Sequence, residues 1–332
     1  MSRAWIGIDI GTSGIKFVKL KGRVLEEWGF KSIPLGVIAA GLIKDYGAVS
    51  KALSSMFERL DFKRGKVVTC IGGRDVIIRL INIPKVENRE LKKFLDWEIG
   101  RNLPFSLDEA VYDSYVLRSV FDEEGEKLEI LVVATKQSIV EGIYNVFKNI
   151  GIEIEAIEAS LLPILRVDEL VEEKESFMLI DIGAGTVDIA VLHEMRPILF
   201  RSLPTGGNAI TSALSASLNL DFNKAEELKK GKSIIDLKPY IEDILADLIG
   251  EIMHCFDYII GQFKENVVRS VYITGGVSSL KGLETFLEDQ LGIPVKKINP
   301  LKGIHLKKET EEIHVFRNRL GLAIGLALRG VY

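Results

Sequence analysis

Residues 8–16 read IDIGTSGIK, and residues 180–189 read IDIGAGTVDI. Each stretch is an apolar run, an aspartate, a glycine turn carrying hydroxyls, and a second apolar run. That order predicts a β-hairpin with a polar tip. One copy is ordinary Asp-Gly turn chemistry. Two copies at domain spacing, with a Gly-Gly corner after another apolar strand (Gly275-Gly276), imply a duplicated pair of α/β domains whose turns share one cleft.

The residue types at these turns suit a nucleoside triphosphate. Gly11, Gly14, Gly183 and Gly185 permit tight turns whose backbone N–H groups can point at phosphate oxygens. Thr12, Ser13 and Thr186 add hydroxyl donors. Asp9 and Asp181 would repel phosphate directly, so the expected role is to hold Mg²⁺ through water, with Asp188 as a further acid. The pattern is neither a P-loop nor a dinucleotide fingerprint, because no GxxxxGK[ST] is present and no GxGxxG opens a helix.

Working outward, strands are predicted over Ala4–Ile10, Ile15–Leu20, Val24–Ser32 and Val67–Ile71, with a helix over Ser50–Leu60. Residues 74–151 follow a different pattern. They predict a strand Val76–Ile81, an amphipathic helix Glu87–Arg101, strands Ala110–Val120 and Leu128–Ala134 around the acidic turn Asp122–Glu126, and a helix Ser138–Ile150. The first pattern then returns. A strand runs to Ala156, a helix is expected over Leu161–Val171, and strands over Phe177–Ile182, Val187–Leu192 and Ile198–Pro204. Helices are expected up to Leu218, over Asn223–Lys230 and over Tyr240–Lys264. A strand Ser270–Thr274 and helices Leu280–Leu291 and Arg317–Leu328 complete the chain. The expected organisation is a first domain from residues 1–73 and 152–176, an inserted α+β unit at 74–151, and a second domain at 177–332. The second domain includes adenosine-side helices at 220–265, and the chain returns to the first domain near 317–332.

Composition narrows the function. Lys+Arg is 43 against Asp+Glu 47, an acidic excess that argues against bulk nucleic-acid binding. Cys70 and Cys255 stand far apart, which excludes a disulfide scaffold, and four histidines without ligand spacing argue against structural zinc. No apolar run approaches the ~20 residues needed to cross a bilayer, and the N-terminus lacks the pattern of a secretory signal.

These motifs resemble those of the actin/hexokinase/DnaK-type ATPase superfamily. The two hairpins look like its phosphate motifs, and VYITGGVSSLKGLETFLEDQLGIPV looks like its adenosine motif. IEASLLPILR and the Gly321–Leu328 helix are similar to its connecting helices. The insert narrows the likeness to the FtsA-like branch. LDWEIGRNLPFSLDEAVYDSYVL and LPTGGNAIT followed by KAEELKK resemble the type IV pilus assembly protein PilM family.

The resemblance implies an actin-like ATPase fold, two α/β domains around a nucleotide cleft with a small α+β insert. It implies ATP and Mg²⁺ as ligands. The nucleotide would contact Gly11, Thr12, Ser13, Lys16, Gly183, Ala184, Gly185, Thr186, Gly206, Gly207, Glu226, Lys229, Gly275, Gly276 and Val277, with Asp9, Asp181 and Asp188 toward the metal. Glu158 stands where chaperone relatives carry a catalytic glutamate and is the candidate to orient a water, although a scaffold needs ATP for shape and turnover is expected to be slow.

The implied role is a cytoplasmic adaptor at the inner face of the inner membrane. It would bind the N-terminal tail of a PilN-like bitopic protein in a groove between the first domain and the insert's amphipathic helix and strands. Other pilus platform and motor proteins, and self-association, follow as further contacts; no nucleic acid does. An FtsA- or MreB-like filament former and a small-molecule kinase of the hexokinase class are the alternatives.

Overall fold

The computed structural model describes residues 3–58, 65–85, 88–123, 125–167, 170, 175–264 and 267–331. Residues 59–60, Glu87, Glu124, residues 168–169, Val171 and Tyr332, which several predicted elements reach, lie outside them.

In chain order, β1 (Ala4–Gly11), β2 (Gly14–Lys21) and β3 (Val24–Ser32) form an antiparallel meander. A small hairpin, β4 (Ile38–Ala39) and β5 (Leu42–Ile43), precedes α1 (Tyr46–Phe57), whose N-terminus is capped by Asp45 accepting from the Ala48 N–H. β6 (Gly65–Ile71) then pairs parallel with β1. The insert contributes β7 (Ile77–Pro84), α2 (Asn88–Asn102), β8 (Ala110–Asp122) and β9 (Gly125–Lys136). α3 (Gln137–Asn149) and β10 (Ile154–Ala159) return to the first sheet.

The second half opens with β11 (Phe177–Ile182), β12 (Val187–His193) and β13 (Arg196–Leu203). α4 (Gly207–Leu218), α5 (Phe222–Gly231), α6 (Ile234–Phe263), β14 (Ser270–Thr274), α7 (Leu283–Leu291) and β15 (Val295–Lys297) follow. The chain ends through β16 (His305–Leu306), α8 (Glu311–Phe316) and α9 (Gly321–Ala327).

The two main sheets repeat one plan. Their orders are β10-β6-β1-β2-β3-β16 and β13-β12-β11-β14-β15. In each, an antiparallel meander continues across its first strand into parallel neighbours. Central strands are apolar on both faces because both faces are covered. Met178, Ile180 and Ile182 meet α4, α6 and α7 on one side, while Phe177 and Leu179 meet Leu161, Ile164 and Leu170 on the other. α9 crosses back to the first half and buries Ala323, Ile324 and Ala327 against Val18, Leu20 and Leu25.

Three elements depart from the sequence reading. The helix expected over Leu161–Val171 is a short 3-10 turn, Leu162–Arg166; Leu161 sits at φ +74° and the chain turns extended at Val167. α6 starts at Ile234 rather than Tyr240. Ser233 and Asp236 form a capping box there, and Pro239 makes the kink at Ile241 that interrupts the apolar periodicity. α3, expected to close the insert, sends Ile143, Val146 and Phe147 into the first-sheet core with Ile6, Ile8, Val49 and Leu53.

The insert proper is the antiparallel sheet β7-β9-β8 with α2 on one face. Its core is Ile83, Leu95, Ile99, Ile130 and Val132. Phe94, expected on the same stripe, turns outward, and Trp97 is exposed beneath the Arg101 guanidinium, 4.6 Å from its ring centre. The insert is tied to the second half by Arg196 on β13, 3.3 Å from Glu129 on β9.

A candidate nucleotide site between two hairpin turns

The β1–β2 register sets Asp9 opposite Lys16 and leaves Thr12 and Ser13 at the tip. Both charged side chains are buried, and they pair at 2.9 Å. The β11–β12 register sets Asp181 opposite Asp188 in the equivalent places. The duplicated turn therefore carries a lysine in the first half where the second half has an acid.

The Gly183 N–H closes the second turn on the Thr186 carbonyl at 2.9 Å, and the Thr186 hydroxyl donates to Asp188 at 3.2 Å. The tips meet. A side chain at Gly185 would collide with Thr12, so the two turns are in van der Waals contact across the cleft.

A third wall comes from the end of β14. Gly275 has φ +87°, and a Cβ there would run into Asp181 Oδ1 and the Ile182 carbonyl. Gly276 and Val277 continue along the cleft lining. α4 and α5 supply the fourth wall. Lys229 donates to the Gly207 carbonyl at 2.9 Å and to the Thr211 hydroxyl at 2.7 Å, and pairs with Glu226 at 2.5 Å. Burial would raise the Glu226 carboxyl, but hydrogen bonds from Lys229 and Thr211 outweigh it and hold the group below its ordinary range. Burial pushes the Lys229 ammonium down, with Glu226 opposing.

Together with a first-half lobe lined by Phe30, Ile38, Tyr46, Gly73 and Ile139, these walls enclose a cleft of about 780 Å³. Gly11, Thr12, Ser13, Lys16, Gly183, Ala184, Gly185, Thr186, Gly207, Glu226, Lys229, Gly275, Gly276, Val277, Asp9, Asp181 and Asp188 all line it.

Two predicted residues stand elsewhere. Gly206 packs against Ala184 behind the second turn; the adjoining N–H groups of Gly207 and Asn208 donate to the Gly183 and Ala184 carbonyls at 2.9 and 2.8 Å. This glycine pair braces the turn, so those donors are not free for phosphate. Glu158 is not among the lining residues. Its side chain is 9% exposed and lies between Arg166 at 2.8 Å and Arg329 at 2.9 Å. Two guanidinium groups occupy both carboxylate oxygens, which is the wrong environment for a base that must orient a water.

Several lining residues carry no signal of their role in the sequence: Cys70, Thr274, Phe222 and Arg319. Lys230 also lines the cleft, and it belongs to the KAEELKK run that the sequence singles out. Arg319 does not, because only the return of the chain between α8 and α9 brings it beside Gly276.

The charge balance at the floor of the cleft is uneven. Desolvation pushes the Asp181 carboxyl up to about 7, with Asp188 and Asp9 adding to the shift and Lys16 opposing it. Burial raises Asp188 also, against the hydrogen bond from the Thr186 hydroxyl. Burial raises the Cys70 thiol well above its usual range, with Asp9 the next cause. Among the described residues no group of three or more His, Cys, Asp or Glu is close enough to hold a metal ion directly. Three acids against one ammonium nevertheless suit a cation that arrives with its own water and phosphate ligands.

The first half has its own Gly-Gly corner, Gly72-Gly73, after β6 as Gly275-Gly276 is after β14. It lines the same cleft but is braced by the β4–β5 hairpin. Gly73 is at φ +87°, and a Cβ on it would stand 2.5 Å from the Ala40 carbonyl at the β4–β5 tip.

Paired hairpins from duplicated sheets, closed by a glycine corner over one cleft, define an actin-like ATPase fold. MreB 5 of Spiroplasma citri bound to AMPPNP shares that fold, with a TM-score of 0.59 at 13% identity over 91% of this chain and 95% of that one. A family model described as "Type IV pilus assembly protein PilM" matches residues 7–331, and the chain belongs to that family.

A chain of the "PilM-PilN type IV pilus biogenesis complex" superposes with a TM-score of 0.88 at 27% identity, covering 99% of this chain and 98% of that one. The cell division protein FtsA of Neisseria meningitidis serogroup B is 25% identical over 347 residues, 87% of this chain and 82% of that protein. No helix among the described residues is long and apolar enough to cross a membrane.

Proposed function

We propose that this protein is a nucleotide-dependent adaptor of type IV pilus assembly that captures the cytoplasmic N-terminal tail of a PilN-like membrane protein. The observation that carries the partner half of this reading is the apolar face of the insert sheet away from α2, beside the Glu129–Arg196 pair that ties it to β13. The registers set Ile78, Val133 and Asp113 in one row, and Leu80, Leu131 and Tyr115 in the next. These side chains point away from α2. Ile78, Leu80, Leu131 and Val133 are half-buried and belong to no hydrophobic cluster among the described residues, and Tyr115 is 70% exposed. β8 is moreover one of the sheet's two edge strands.

An extended peptide recognises such a surface by backbone pairing at an edge and by apolar side chains set into the face. The tail therefore lies on the face opposite α2, because the apolar stripe of that helix already fills the insert core.

The nucleotide half rests on the cleft. ATP is placed in the cleft below the meeting tips, its phosphates near the N–H groups and hydroxyls of residues 11–13 and 184–186 and its base toward Glu226, Lys229 and Gly276. Mg²⁺, held through water by Asp9, Asp181 and Asp188, would neutralise phosphate charge. Lys16 serves as the resident cation beside Asp9. A ligand gripping both halves stabilises the closed chain by RT ln(1 + [L]/Kd), about 2.7 kcal/mol at a hundredfold excess over Kd. The adaptor needs occupancy for this, not turnover. Association with the inner membrane then follows from the partner.

The test is fluorescence anisotropy with a synthetic peptide of the PilN-like protein's cytoplasmic N-terminus. Leu131→Asp is expected to abolish binding while the ATP-induced shift in Tm is retained. Undiminished peptide affinity in that variant refutes the groove.

A further inference from the structure

Thr274 ends β14 at the floor of the cleft. It is 1% exposed, and the β11–β14 register sets it beside Asp181. Its hydroxyl is buried with no hydrogen-bond partner among the described residues. Thr69 donates to the Ile8 carbonyl at 2.9 Å and Ser278 to the Gly275 carbonyl at 2.7 Å; Ser202, opposite Asp188, has a buried hydroxyl without a partner among the described residues as well, but it does not line the cleft as Thr274 does.

An unsatisfied buried hydroxyl opposes folding, and a valine of the same shape would avoid that cost. Thr274 nonetheless lines the cleft. On its far side stands Gly321 of α9, where a Cβ would be 3.1 Å from Thr274 Oγ1. The hydroxyl therefore occupies a slot bounded by Asp181 and a glycine of the returning helix.

We infer that Thr274 is a positioning residue of the nucleotide site, its hydroxyl hydrogen-bonding a water that the incoming metal–nucleotide brings between it and Asp181. This rests on the nucleotide reading of the cleft. It adds a requirement that the hairpin motifs do not state: the glycine corner must be preceded by a hydroxyl. In the ligand-free protein Thr274 is a liability, and in the loaded protein it is a contact. The two states thus respond to its removal with opposite sign.

The experiment compares wild type, Thr274→Val and Thr274→Ser by thermal unfolding without ligand, with ATP and Mg²⁺, and with ATP and EDTA. Thr274→Val is expected to unfold at the wild-type temperature or higher without ligand. It should bind ATP–Mg²⁺ about tenfold more weakly. Thr274→Ser should restore affinity, and EDTA should bring wild type and Thr274→Val together.

A valine variant with wild-type ATP–Mg²⁺ affinity overturns the inference. So does a valine variant that is less stable without ligand, since its hydroxyl would then have a partner in the fold. A tenfold loss that persists in EDTA overturns the metal-borne water. If wild-type protein gains no stability from ATP–Mg²⁺, the nucleotide reading itself has failed, a result distinct from the others.

Discussion

Replacing Asp181 by asparagine isolates the electrostatics of the cleft floor. In the fold the carboxyl titrates at about 7 against an ordinary value of 3.8, chiefly through desolvation. Between those pH values the folded chain holds a proton that the unfolded chain has released. Ligand-free stability therefore falls as pH rises through this window and levels off above it. About three pH units at roughly 1.36 kcal/mol each set a ceiling of about 4 kcal/mol. Asp181 is half-buried and faces open cleft, so solvent screening brings the expected penalty to about 2–4 kcal/mol.

Asp181→Asn removes the titration. Near pH 8, without nucleotide, it should exceed wild type by that amount, about 3–6 °C in Tm for roughly 2.1 cal/mol/K of unfolding entropy per residue. Near pH 4 the two proteins should coincide. With ATP–Mg²⁺ at pH 8 the order should reverse, because the variant lacks the charge that suits the metal. Paired thermal melts at pH 4, 6 and 8 test all three statements. A wild-type-minus-variant difference that does not change with pH would refute the reasoning.

Gly275→Ala forces a Cβ onto Asp181 and a φ of +87° onto an L-residue; about 1–3 kcal/mol from the backbone alone should appear as a lower Tm, and calorimetry should find no ATP binding. Glu158→Gln should lose about 1.5–3 kcal/mol in urea unfolding as the charged hydrogen bonds to Arg166 and Arg329 weaken, while the rate of ATP hydrolysis per folded molecule stays at the wild-type value. Tyr115→Ala should weaken the tail peptide by roughly tenfold, as loss of an exposed aromatic anchor does, with no change in Tm.

The two hairpins are legible because their signal is local: an aspartate, a glycine turn and flanking β-branched residues lie within ten positions. The Gly275 corner is legible for the same reason. Glu158 shows where this reasoning stops. Its strand position is readable from the sequence, but Arg166 comes from a 3-10 turn read as a helix, and Arg329 reaches it from the far end of the chain. Gly206 and Gly207 are likewise readable as a glycine pair; that the N–H groups of Gly207 and Asn208 face the second turn depends on tertiary packing. The apolar face of the insert away from α2 is hidden for another reason. β7 and β9 are apolar on both faces, so alternation does not say which face is covered until α2 is docked.

The Ala40 bend against Gly73 breaks the symmetry of the duplicated fold. Asp181 stands beside the second-half corner, while the first-half corner is buttressed by its own hairpin and opens onto the same cleft. On the proposed nucleotide reading the two corners share one seat, and titration should give a stoichiometry of one. Any switching would then be read from a single occupancy.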